Sequence, residues 1–342
     1  MSNSPQPNTV LPIGYDEGRE LVWGFHGGSA MPGLTKGDQK IFYVNNSHTY
    51  ASDNNDGVDP NEPLATIQGI IDRTVAYNAG TGTRRPELAQ HDIIYVSDDV
   101  AETVIIPGAN VPTYVSIVGC GHGRYSPVWA SGAADEDALT VRREGWRISG
   151  FTFEVPTSGS AIRLDEVPGS SYSAYKTIID NCVFDGLWGG MYGIEFAGAP
   201  HRVSILDNEF VEMHQGGNDA FCIYITDSTH TNPYQCKIVG NRFMDSDNYI
   251  GNLGSIRGFN VSLFQDNVFE EGTLLIPALY LDLRGGSQGY NIVTKNYFGG
   301  AYTQAGGYYA HAATPNSCWV GNTAEPTPGT VADNGVTVAV PA

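Results

Sequence analysis

Carboxylates that recur at one point of a repeat are the first groups in this chain that could do chemistry. Glu154, Asp185, Glu212, Asp245, Glu270 and Glu271 each follow a Phe by one or two residues. Two carboxyls roughly 5–9.5 Å apart can cleave a glycosidic bond, one as acid and the other as nucleophile or base. Strands stacked in register lie about 4.8 Å apart, so adjacent and next-but-one repeats would bracket that range. Any stacked chain creates such spacings, and ordinary charged turns facing water fit the pattern equally well. A surface-bound cation such as calcium is a third use of such a ridge, because hard cations take several oxygen ligands. The catalytic candidates are Glu195, Asp219 and Asp245.

A second set alternates with apolar residues and is expected on a wet face. It comprises Arg163, Glu195, Tyr224, Arg257 and Tyr280, with Tyr308 beyond them and His214, Asp219 and His230 on nearby insertions. Aromatic faces beside Arg and carboxylate suit sugar rings or a protein partner. Arg163, Tyr224, Arg257 and Tyr280 are therefore the glycan- or partner-binding candidates, with a mixed polar surface as the plain alternative. No HxH or HExxH spacing occurs, and the five Cys contain no CxxC. No metal centre, cofactor or disulfide framework is expected, and the cysteines read as small core filler.

The elements that must position these groups are read from an internal repeat. Copies are Ile148-Ser-Gly-Phe-Thr-Phe153, Ile179-Asp-Asn-Cys-Val-Phe184, Leu206-Asp-Asn-Glu-Phe210, Val239-Gly-Asn-Arg-Phe243, Gln265-Asp-Asn-Val-Phe269 and Thr294-Lys-Asn-Tyr-Phe298. Trp319-Val-Gly-Asn322 is a fading last copy, and Ile117-Val-Gly-Cys-Gly121 a first one. One column holds Cys120, Phe151, Cys182, Asn208, Asn241, Asn267, Asn296 and Asn322, at steps of 26 to 33 residues. A second holds Phe153, Phe184, Phe210, Phe243, Phe269 and Phe298. Repeats of this length signal a solenoid, in which each coil buries its apolar face only against its neighbours. Stacked Asn amides would then hydrogen-bond as a ladder, and stacked Phe would fill the interior. A second strand per coil is expected at 161–167, 193–197, 220–226, 255–258, 278–283 and 307–312.

Leu64, Ile67, Ile70, Ile71 and Val75 follow helical spacing after Pro63, so a short helix near 64–79 is expected to cap the N-terminal end. Residues 1–40 read as an irregular arm, 41–326 as the solenoid, and 327–342 as a C-terminal cap or inter-subunit strand. The chain of 342 residues carries 18 Lys+Arg against 37 Asp+Glu, a formal net charge of −19. Such acidity disfavours nucleic acid and anionic membrane surfaces as partners. No basic, apolar leader and no membrane-length apolar run is visible.

The stretch from Tyr43-Val-Asn-Asn-Ser to Asn54-Asn-Asp-Gly-Val-Asp-Pro-Asn-Glu-Pro-Leu-Ala-Thr-Ile-Gln68 resembles the opening of right-handed parallel β-helix proteins of the pectin-lyase-like superfamily. Asp92-Ile-Ile-Tyr-Val and Val115-Ser-Ile-Val-Gly-Cys-Gly121 resemble that superfamily's first coils. The resemblance implies an all-β right-handed parallel β-helix of about eight coils. The calcium-carboxylate and catalytic Arg pattern of pectate lyases is missing, as are the Asn-Thr-Asp, Asp-Asp and Arg-Ile-Lys patterns of polygalacturonases. What remains resembles a bacteriophage virion protein of tailspike or capsid-decoration type. That implies a homotrimer located on the virion, attached to other virion proteins through its arm, with host polysaccharide as a ligand. A polysaccharide lyase or glycoside hydrolase, and a non-catalytic glycan adhesin, are the alternatives.

Overall fold

Pairing between repeats, rather than within them, organises the backbone. A computed structural model describes residues 14–15, 21–22, 39–82, 86–120, 126–133, 135–167, 173–198, 200–215, 220–226, 232–251, 258–270, 279–283, 289–299, 309–311 and 317–324. Three parallel sheets of ten, nine and eight strands run through them. From Ile93–Val96 to Tyr309–His311 each repeat lends one strand to each sheet in turn, as in Arg147–Ser149, Thr152–Glu154 and Ser160–Leu164. The protein is thus an all-β parallel β-helix with very little helix.

Register explains the repeat. Phe153, Phe184, Phe210, Phe243, Phe269 and Phe298 are aligned partners in the second sheet. Their rings lie nearly parallel at centroid distances of 4.6 to 5.2 Å, a geometry imposed by the strand spacing. Trp129 continues the same column, 5.3 Å from Phe153, in a repeat that lacks the Asn-x-Phe motif, and Val100 is aligned beyond it.

The Asn column forms a continuous ladder. Asn208 Nδ2 donates to Asn241 Oδ1 at 3.0 Å, Asn241 to Asn267 at 3.0 Å, Asn267 to Asn296 at 2.9 Å and Asn296 to Asn322 at 2.9 Å. Each Oδ1 also accepts the backbone N–H of the preceding repeat, and Cys182 N–H donates to Asn208 Oδ1. Buried amides are thereby satisfied, which removes the cost of burying them. The residue before each ladder position is left-handed: Gly150, Asn181, Asp207, Gly240, Asp266, Lys295 and Gly321 have φ between 53° and 79°. A sharp corner joins the first and second sheets there, and it favours Gly, Asn and Asp.

The helix α1 spans Ile67–Asn78. Its start lies three residues later than the spacing suggested, because Thr66 is the N-cap and Leu64 bridges to Val44 instead. Thr66 Oγ1 accepts from Gly69 N–H, and Glu102 accepts from Ile67 and Gln68 N–H at 2.8 and 3.2 Å. These acceptors satisfy donors that a helix N-terminus leaves open. Ile67, Ile70 and Ile71 join the same hydrophobic core as the strands.

Two expectations need correction. The strand placed at 255–258 lies, apart from Gly258, outside the described residues, and the third-sheet strand of that coil is Asn248–Gly251. Cys182, Cys222 and Cys236 are buried filler, but Cys120 is only partly buried and Cys318 is exposed. Within the arm, Gly14–Tyr15 pairs with Leu21–Val22; the rest of 1–38 and all of 327–342 lie outside the described residues. No helix among the described residues is long and apolar enough to cross a membrane.

Candidate functional site

The outer face of the second sheet carries the site. Its floor is built from Val128, Thr152, Val183, Val211 and Met244, side chains on five successive strands. These face outward because Trp129 and the Phe column take the alternate, inward positions of the same strands. An open groove of about 460 Å³ lies over them. Asp185, Glu209, Glu212 and Asp245 edge it, and Ser126 closes it beside Val128.

The acids do not form the single column that their spacing suggested. Glu154 and Asp185 are aligned, but Val211 and Met244 fill the next two aligned places. Glu212 and Asp245 sit one residue on, at left-handed φ of 59° and 47°. The turn shifts them sideways into one edge of the groove. Glu270 leaves the set to bind Arg242 at 2.7 Å, and Glu271 lies outside the described residues. Burial pushes the Glu212 carboxyl above its ordinary range, and the charges of Asp185 and Asp245 push the same way. Glu209 has a cation near it, Arg242 Nη1 at 3.6 Å. Ser126 is 7% exposed, and its hydroxyl has no hydrogen-bond partner among the described residues.

The other candidates are arranged differently. Arg163, Glu195 and Tyr224 are aligned in the third sheet, continued by Gly251 and Asp282. Glu195 was expected on a wet face but is 5% exposed. It accepts from Ser160 Oγ at 2.7 Å, Arg163 Nη1 at 3.0 Å and Thr226 Oγ1. A carboxylate so enclosed and bonded is a structural tie, not a group open to substrate. Tyr224 stacks on Tyr192 at 4.2 Å and 4°. Tyr280 was also expected outside, but it is fully buried among Tyr249, Phe269 and Phe298, donating its hydroxyl to Gly299 O. Tyr280 aligns with Tyr249, and Asp282 with Gly251, so Asp282 takes the place in the Arg163–Glu195–Tyr224 column that Tyr280 was expected to fill. Asp219, Arg257, His230 and Tyr308 lie outside the described residues.

Sequence reasoning missed Ser126, Glu209 and Asp247, the partner of His214, whose Nδ1 and Asp247 Oδ1 are 2.7 Å apart. Glu209 is the variable residue of the Asn208-Glu209-Phe210 copy, and Ser126 and Asp247 lie outside the motif, so no spacing marked them. Among the described residues, no group of three or more His, Cys, Asp or Glu is placed to hold a metal ion. Comparison of the chain with protein-family models, with curated proteins and with solved structures found no match in any of the three.

Proposed function

We propose that this protein is a structural component of a bacteriophage particle, displayed as a capsid decoration or short spike, that binds host-surface glycan along its second sheet. In this reading the chain is a right-handed, pectin-lyase-like β-helix of about eight coils. The helix α1 covers its N-terminal end, and residues 1–40 attach it to other virion proteins as a homotrimer. The observation that carries the reading is the open groove, whose floor is apolar and whose rim is hydroxyl and carboxyl. Sugar polymers present apolar ring faces between hydroxyls, and such a surface matches both. The test is binding to a panel of bacterial surface polysaccharides, read by biolayer interferometry and by product analysis. Binding without cleavage is expected, and Val211→Arg should abolish it while leaving the melting temperature near wild type. Absence of binding across the panel would remove the glycan role.

One observation favours a second reading, a glycoside hydrolase. Glu212 is held toward its protonated form beside Asp185 and Asp245, the asymmetry that an acid and a carboxylate partner need. Release of oligosaccharides, lost in Glu212→Gln with binding retained, would establish that reading over the first. Glu195 takes no part in it, being tied to Arg163, Ser160 and Thr226.

A further inference from the structure

The turn between the second and third sheets in the repeat of Phe184 is strained. Leu187 and Trp188 have φ of 47° and 60°, the one consecutive pair of non-glycine residues in the left-handed region among the described residues. Bulky side chains disfavour that region, and such strain persists only where the surroundings over-determine it. Here they do. Asp185 Oδ1 accepts from Leu187 N–H at 2.9 Å, and Gly186 O accepts from Gly189 and Gly190 N–H at 2.8 and 2.6 Å. From the next coil, Gln215 Nε2 donates to Gly189 O and reaches past it to Thr157 O, strapping three coils together. This fixed turn holds apolar groups outward, with Leu187 56% and Trp188 38% exposed.

A polar group is oriented beside the indole. The His214 ring meets Trp188 edge to face, with centroids 6.1 Å apart and planes at 71°. His214 Nδ1 bonds Asp247 Oδ1 at 2.7 Å, and Asp247 Oδ2 accepts from Gln215 N–H at 2.8 Å. The Asp247 side chain is 2% exposed and that of His214 37%. A carboxylate only accepts, so Nδ1 carries the proton of the neutral ring and Nε2 is an acceptor. Three successive coils therefore supply an exposed indole, an oriented acceptor and the buried acid that orients it. Asp185 and Glu212, on the groove's rim, stand two residues before Leu187 and His214, so this corner adjoins the groove.

Resting on the glycan reading above, we propose that Trp188 and His214 form a sugar subsite beside the groove. A pyranose ring of the glycan stacks its C–H face on the indole and donates a hydroxyl to His214 Nε2. An aromatic face supplies the apolar contact, and one placed polar group fixes the ligand's orientation. A protein partner would use Trp188 and Leu187 as an apolar anchor, but it has no need of an acceptor fixed by a buried acid at the indole's side. The strain is consistent with this role. Gly or Asn would fold more readily at position 188, yet neither supplies a ring.

The test uses the full chain, with gluco-, galacto- and manno-oligosaccharides as probes. Isothermal titration reads affinity, thermal denaturation stability and sedimentation assembly. At least one probe series should bind. Trp188→Gly should weaken that binding about tenfold or more, and Trp188→Phe, which keeps a ring, about threefold. His214→Asn keeps a donor for Asp247 but removes Nε2, and should weaken binding about fivefold. Trp188→Gly should also leave the melting temperature equal or higher, because it relieves the left-handed strain. A lower melting temperature would mean that the indole serves the fold, and would overturn the proposal. Wild-type affinity in Trp188→Gly would overturn it too, and loss of binding in Val211→Arg alone would then leave the groove reading standing. Unchanged sugar binding with a changed sedimenting mass would make the turn a protein contact and overturn the subsite. If the wild type binds none of these probes, the subsite is overturned. The glycan reading falls with it only when the surface-polysaccharide panel is also negative.

Discussion

At the scale of single residues, stability rests on polar groups that the solenoid cannot hydrate. The Asn241 side chain makes five hydrogen bonds: it accepts from the Asn208 backbone and amide, and donates to Asn267 Oδ1, Ile205 O and Val239 O. Asn241→Ala leaves several of these buried and unbonded, each costing about 1–3 kcal/mol. We expect a loss of about 2–4 kcal/mol in urea unfolding, well beyond that of a surface Asn→Ala control. The buried cysteines are inert by the same physics, since burial pushes the Cys182 and Cys236 thiols up to about 12. Glu102 gives the clearest pH signature. Burial raises its carboxyl above the ordinary 4.5, outweighing the bonds it accepts from Ile67 and Gln68 N–H. A raised acid in the fold means that the native state holds the proton more tightly than the unfolded chain does. Its contribution is therefore full below 4.5 and is lost as pH rises through the higher folded value. Glu102→Gln should flatten that part of the stability–pH curve, measured by urea unfolding from pH 4 to 8; an unchanged slope would contradict the assignment.

At the scale of elements, the corners are as constrained as the strands. A second left-handed column lies at the other end of the first sheet and includes Gly145, Lys176, Arg202, Gln235, Val261 and Tyr290. Val261, at φ 51°, is the poorest choice there, because a β-branched residue is strained in that region. Val261→Gly should raise stability by about 1 kcal/mol. Gly240→Val should do the reverse by about 2 kcal/mol or more, since even a Cβ at Gly240 would sit 2.2 Å from Asp207 Oδ1. Thermal denaturation of both variants checks the pair, and a shared direction of change would refute the argument. These elements also show where the sequence can be read. The first and second sheets were legible because Asn and Phe must stack like on like, which prints a column into the chain. The third sheet has no such anchor. Alternation alone placed Tyr280 outside and a strand at 255–258, whereas the register buries Tyr280 and uses Asn248–Gly251. The groove was half legible: acids after the Phe were visible, but the one-residue shift of Glu212 and Asp245 depends on turn conformation. Ser126 stands in the repeat where Trp129 replaces Phe, so no motif pointed to it.

At the scale of the whole molecule, the proposed assembly predicts a mass. Sedimentation of the full chain should give three times 36.7 kDa, and a monomer at all accessible concentrations would remove the trimer from the proposal. Stability in such a stack is nearly a sum of coil terms and nearest-neighbour interfaces. The Asn ladder adds direction to that sum, because from Asn208 to Asn296 each amide donates one bond to the next Asn toward the C-terminus and another back to a carbonyl of the preceding coil. Mechanically, this makes the solenoid a zipper when tension is applied across its ends. The terminal coil can detach only by breaking its strand bonds and its ladder bond together, after which the next coil becomes the loaded one. Each coil of 26 to 33 residues should release in its own event, lengthening the tether by roughly 90–110 Å. A force trace would then show a regular comb of small rips, with peaks confined to the part of the molecule where the amides are joined.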